Sequence, residues 1–312
     1  MIILPVFSIR QNNQVSSESE KMKLIRTHLK KINKPFVKSI KSPDGDIIDC
    51  VPFHLQPAFD LPELKSRVLL YAIGYARGEY YGLNATLNVW APKVAANGFS
   101  LSQIWLAADV SSEDLNTIEA GWQVYPSLYG NDAPRLFIFW TSENYKNGCY
   151  NLLCSGFVQT NNRVALGAAI QPISTYNGPQ YDIKLLIWKD PKTNDWWLDF
   201  ENNLVGYWPS TLFTGLQEHA EFVEFGGEVV HSEISDSHPP TQMGSGHFAG
   251  EGFGKASFIK NLEVVDGLNK INRVSDMTLQ IDKPNCYDIT GGSNDDWGTY
   301  IYFGGPGNNC QN

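Results

Sequence analysis

From Val68 onward, short runs rich in Tyr, Trp, Val, Ile and Phe alternate with Gly-, Pro- and Asn-containing turns. The clearest runs are 85–90, 136–140, 164–171, 181–188, 196–200, 204–208, 277–281 and 299–303. Many short strands with turn signals between them, and no long helical period, predict an all-β, antiparallel β-sandwich of jelly-roll type. The interval 210–220 is the one helix-like exception. Ahead of Val68 the pattern differs. Over 19–33, Met22, Ile25, Leu29 and Ile32 recur at helical spacing against a basic face, and Pro35 ends the run. Turn chemistry at Pro43-Asp44-Gly45 and further prolines follow. Two parts are expected: a small basic, partly helical segment over 1–67, and a sandwich over 68–312.

Two stretches of the sandwich carry candidate chemistry. In T-I-E-A-G-W-Q-V-Y (117–125), strand alternation puts Glu119, Gly121, Gln123 and Tyr125 on one face. In F-V-E-F-G-G-E-V-V (222–230), Glu224, Gly226, Glu228 and Val230 share a face. Glu119 and Glu228 each have a glycine two residues away. A missing side chain beside an acid leaves room for a ligand backbone, so Gly121, Gln123, Gly226 and Gly227 are expected to line a groove with a carboxylate pair at its floor. Trp122 and Trp208 are expected in the core. His231, His238 and His247 show no HExxH or other tight ligand spacing, so neither metal nor cofactor is expected. No G-x-S-x-G elbow is present.

Charge sharpens the division. The chain carries −9 overall, with +4 in residues 1–67 and −13 in the remainder. An acidic body repels phosphate, which argues against a nucleic-acid partner. Opposite signs within one chain suggest that the leading segment docks on the body. No apolar run approaches the roughly 20 residues that cross a bilayer. Of five cysteines, Cys149 and Cys154 could staple a short loop, and Cys286 and Cys310 bracket the C-terminal segment, leaving Cys50 odd. Five reduced thiols are the alternative. Asn84-Ala85-Thr86 is an N-glycosylation sequon.

Longer motifs are more specific. S-P-D-G-D-I-I-D-C-V (42–51) resembles the activation peptide of the plant neprosin family. I-E-A-G-W-Q-V-Y-P-S-L-Y-G, W-T-S-E-N-Y-K-N-G-C-Y-N-L-L-C, E-F-G-G-E-V, T-Q-M-G-S-G and Y-F-G-G-P-G resemble that family's catalytic domain. The resemblance implies a glutamic peptidase on an antiparallel β-sandwich, made as a zymogen, secreted to an extracellular or vacuolar space, and cleaving after proline. The family's catalytic glutamates carry over to Glu119 and Glu228, and its disulfides to Cys149–Cys154 and Cys286–Cys310. Expected partners are a proline-containing substrate and the chain's own propeptide as inhibitor, with 51–57 nearest the groove, in a monomer.

A free Glu titrates near pH 4.3, and two facing carboxylates share a proton, so activity is expected in acid. Glu228 is the expected base. Two other readings suit the same pattern. One is a β-sandwich glycoside hydrolase, which also uses paired carboxylates. The other is a non-catalytic wall- or carbohydrate-binding protein with the acids at its surface.

Overall fold

Asp182–Lys189 reads D-I-K-L-L-I-W-K, and in the computed structural model its residues alternate strictly between exposed or half-buried and buried. One face of that strand lies on the core and the other faces solvent. The structure describes residues 38–41, 47–50, 67–95, 98–109, 114–232 and 241–307. The expected helix over 19–33, the segment 51–57, His238 and Cys310 lie outside them.

The chain divides into two compact units, Met1–Lys65 and Ser66–Asn312. In the first, β1 (Lys38–Lys41) and β2 (Ile47–Cys50) pair antiparallel, with Lys38 opposite Cys50. In the second, the strands are β3 (Arg67–Tyr80), β4 (Gly82–Asn88), β5 (Ser100–Asp109), β6 (Leu115–Val124), β7 (Arg135–Ser142), β8 (Asn147–Tyr150) and β9 (Val158–Gln159). They continue as β10 (Asp182–Lys189), β11 (Trp196–Phe200), β12 (Asn203–Trp208), β13 (Ala220–Ser232), β14 (Ser257–Val265), β15 (Ile271–Arg273), β16 (Thr278–Ile281), β17 (Asp288–Asn294) and β18 (Gly298–Gly304). One sheet runs β16-β3-β13-β5-β6-β7-β8. The other runs β17-β18-β14-β4-β10-β11-β12-β9, with β15 beside β14. Every pairing between these strands is antiparallel. The expected all-β sandwich is therefore what forms.

The main core fills the space between the sheets. Ile104, Leu106, Ile118, Trp122, Ile138 and Phe225 come from one side, and Leu83, Leu87, Leu185, Ile187, Leu198 and Phe303 from the other. Trp122 and Trp208 are fully buried, as expected. Trp122 Nε1 also donates to Asn88 O at 2.9 Å, tying β6 to the end of β4. A second cluster of Phe99, Leu101, Phe137, Phe139 and Val230 lies on the opposite face of the seven-stranded sheet. That sheet is thus buried on both faces over β6 and β7, whose burial patterns run almost without a break. Between these two strands the chain makes one helical turn, Pro126–Tyr129, closed by Gly130 at φ 77°.

Two expected elements are different. Run 164–171 is not a strand, because Gly167 at φ 83° breaks its extension. It lies beside β7 instead, with Gly167 N donating to Leu136 O and Leu136 N to Ala168 O. The interval 210–220 forms two short 3-10 turns, Ser210–Leu212 and Gly215–Gln217, rather than a helix.

Candidate active site

Antiparallel register brings the site together. Along β6, Glu119 stands opposite Trp105, Gly121 opposite Gln103 and Gln123 opposite Leu101. On the far side of β5, Trp105 faces Glu224, Gln103 faces Gly226 and Leu101 faces Glu228. Three cross-strand rows result: Glu224–Trp105–Glu119, Gly226–Gln103–Gly121 and Glu228–Leu101–Gln123. All project from the sheet face that carries the second cluster, since successive side chains of a strand alternate faces. Glu119 and Glu228 therefore share a face, but they lie two strands apart, diagonally across Gln103.

Gln103 spans that gap. Its Nε2 lies 3.5 Å from Glu228 Oε2, and its side chain also hydrogen-bonds Glu119. Thr117 Oγ1 donates to Glu119 Oε1 at 2.8 Å, and the Trp105 side chain supplies a further hydrogen bond to Glu119. Glu119 and Glu228 are only 6% and 7% exposed. Burial pushes the Glu119 carboxyl up to about 7 against the pull of its three donors, with nearby Glu224 adding to the rise. Glu228 is pushed well above the ordinary range, first by burial and then by the charges of Glu119 and Glu224. Glu224 is itself raised by burial, partly offset by Arg77. Tyr71 and Tyr150 face the same acids, and burial and the glutamate charges push their hydroxyls up; the exposed Tyr145 feels the same charges.

The flanking glycines serve a different purpose from the one expected. A Cβ on Gly121 would lie 2.0 Å from Ser102 O and 2.7 Å from Gln103 Cα. On Gly226, at φ 155°, it would lie 2.2 Å from Ala72 O. Gly121 lets the β5 backbone close in at Gln103, and Gly226 lets β3 close in on the other side of β13. Gly227 is not a groove residue: it projects into the core, where a Cβ would meet Phe303 Cε2 at 2.5 Å and Met243 Cγ at 2.9 Å. Alternation puts it on the face opposite its neighbours Gly226 and Glu228. Gln123 does lie on the site face, fully buried, in the row of Glu228.

Gln103, Trp105 and the three tyrosines escape the sequence reading, which put Glu224 on the face of Glu228 but gave it no role. The clue was a glutamine within an otherwise apolar run, L-S-Q-I-W-L, two residues from a tryptophan.

Cys149 and Cys154 form a disulfide with Cα atoms 5.8 Å apart, closing the loop after β8. Cys286 is disulfide-bonded as well, and Cys310, the partner the resemblance gives it, lies outside the described residues. Asn84 is no glycan site in the folded domain. It is 5% exposed within interior strand β4, and its Nδ2 donates to Glu263 Oε2 at 2.6 Å.

The class is now defined: a two-sheet antiparallel sandwich with a carboxylate–carboxamide–carboxylate diagonal buried on one face. Residues 96–306 match the Neprosin family, and residues 39–111 match the Neprosin activation peptide. The chain belongs to the neprosin family and carries its activation peptide, the organisation of a peptidase made as a zymogen. Among solved structures, a scytalido-glutamic peptidase bound to a peptide-based transition state analog is 12% identical, with a TM-score of 0.44. That match covers 76% of this chain and 98% of the other. SCP-B, a member of the eqolisin family of peptidases in complex with the tripeptide Ala-Ile-His, is 10% identical, with a TM-score of 0.40. It covers 75% of this chain and 96% of the other.

Proposed function

We propose that this chain is a glutamic-class endopeptidase that cleaves after proline, with Glu119 and Glu228 as its catalytic pair. The observation that carries the reading is the convergence of both buried carboxyls on the Gln103 carboxamide. Glu119, held by three donors, ionises first and acts as base, reversing the assignment expected from sequence. It takes a proton from water as the water oxygen attacks the scissile carbonyl carbon. Glu228, still protonated, donates to the carbonyl oxygen. Collapse of the tetrahedral adduct breaks the C–N bond, the proton held by Glu119 passes to the leaving amine, and one hydroxyl of the adduct returns its proton to Glu228. No covalent intermediate is needed. Beside the two acids, half-buried Tyr150 packs on buried Phe137 and Phe139, its ring centroid 4.5 Å from that of Phe139, and offers an aromatic edge suited to a proline ring.

The acids lie on one face and are almost fully withdrawn from solvent, which disfavours a surface-binding protein with solvated glutamates. The test is cleavage of a quenched proline-containing peptide by the processed enzyme. Glu119→Gln and Glu228→Gln should each leave less than a few per cent of parental activity in a folded protein. Higher activity in either variant removes the pair.

A further inference from the structure

Gln103 has features that a spacer between two acids does not need. It is fully buried at the centre of the site face, in a row whose neighbours on both sides are glycines. An ionised Glu119 can only accept, so the Gln103 nitrogen is the end that meets it, and the same nitrogen lies 3.5 Å from Glu228 Oε2. Two hydrogens on one nitrogen then serve two carboxyls. The other end is the unusual one: Gln103 Oε1 is buried and has no hydrogen-bond partner. Leaving an amide acceptor buried and unpaired is destabilising, and such groups are rare in folded proteins unless they have a use. Methionine or leucine would fill the same space without that cost.

We propose that Gln103 is a third catalytic group, whose nitrogen ties Glu119 to Glu228 while its Oε1 accepts one hydrogen of the attacking water. The water then has a defined orientation. One hydrogen points to the Glu119 carboxylate that will remove it, the other to Gln103 Oε1, and a lone pair is left for the carbonyl carbon. When the water's proton moves to Glu119, the remaining O–H stays on Gln103 Oε1 and holds the new hydroxyl of the tetrahedral adduct. No proton moves to or from the amide. The inference rests on the assignment of Glu119 and Glu228 above.

The test compares Gln103→Met and Gln103→Glu with Glu119→Gln and Glu228→Gln, measuring kcat, KM and the pH profile of kcat/KM on a proline-containing peptide. For folded Gln103→Met, kcat should fall by a factor of about 100 or more, as for loss of one preorganised polar contact in a transition state. KM should stay within a factor of about three. The acid limb of the profile should move to higher pH, because Glu119 loses a donor that favours its ionised form. A structural role would lower thermal stability and leave that limb in place. If Gln103→Met does not fold, Gln103→Glu decides, since it keeps the shape and loses the amide nitrogen. Folded Gln103→Met, or failing it Gln103→Glu, with more than a third of parental kcat and an unmoved limb overturns the role of Gln103. If the Glu119 and Glu228 variants are inactive in that case, the carboxylate pair stands and Gln103 alone is lost. If those variants are active, the pair fails first and the inference goes with it.

Discussion

Thr117 Oγ1 donates to Glu119 Oε1 at 2.8 Å, whereas the amide contact to Glu228 Oε2 is 3.5 Å long. That asymmetry separates the two acids more sharply than their burial, which is nearly equal. Thr117→Val keeps the β-branched shape and removes the donor, so the Glu119 carboxyl should rise further. The acid limb of kcat/KM should shift up by a few tenths to about one pH unit, with the plateau rate within a few-fold of the parent. In the parent, that limb should fall between the value of a free glutamate, about 4.3, and the value of about 7 to which burial raises Glu119. A limb that does not respond to Thr117→Val assigns the base elsewhere.

Burial of these acids also makes stability depend on pH. Their folded-state values lie above the 4.5 of an ordinary glutamate, so the folded chain holds protons that the unfolded chain releases. Their contribution to stability is therefore greatest below about pH 4 and declines as pH rises from there through their folded-state values, by up to about 1.4 kcal/mol per unit for each group. Glu228→Gln removes the penalty. Its melting temperature should equal the parent's at pH 4 and exceed it at pH 8 by about 2–10 °C. Calorimetry at the two pH values checks this, and an equal melting temperature at pH 8 would show that the Glu228 carboxyl is not raised.

The two faces of the sheet predict opposite fates for two of its glycines. Gly121→Ala drives a methyl into Ser102 O and the Gln103 backbone, so it should cost about 1–3 kcal/mol and more than about 90% of kcat by displacing Gln103. Gly227→Ala presses on Phe303 and Met243 in the core. It should cost comparable stability yet leave kcat of the folded fraction near the parent's. Melting curves with active-site-normalised rates separate the two.

How much of this could be read from the sequence depends on burial. Where a strand has one wet face, as in Asp182–Lys189, alternation is visible and the strand is placed to within a residue. Where both faces are buried, as in β5 and β6, the period disappears. Glu119 and Glu228 still stand out because a carboxylate is foreign to an apolar run. Gln103 and Trp105 do not, since a glutamine and a tryptophan in a strand usually mean packing. The register that places Gln103 between the acids depends on long-range pairing of β13 with β5, which no local pattern encodes. Gly227 was drawn to the groove by proximity in sequence, and alternation sends it the other way. Asn84 meets the sequon rule while its amide is committed to Glu263.

The leading segment offers a separate test. Its positive charge lies in residues 1–37, which carry +5, while 38–67 carry −1. If 51–57 blocks the groove, as the sequence leads one to expect, an isolated peptide of residues 38–62 should inhibit the processed enzyme competitively and with little salt dependence. Electrostatic docking of 1–37 on the acidic body should instead weaken as salt shortens the screening length. No inhibition by the peptide at any pH where the enzyme works would refute the blocking role.

β3 and β4 follow one another with only Tyr81 between them, yet each is an interior strand of a different sheet. The part of the chain that matches the activation peptide runs through both, to residue 111. What is discarded on maturation cannot follow that boundary. Excision past Arg67 would strip from β13 the ladder that holds Glu228 opposite Tyr71, and excision past Gly82 would open the other sheet between β14 and β10. The active enzyme must therefore keep a stretch whose ancestry is shared with its own inhibitor, and its amino terminus should be found ahead of Arg67.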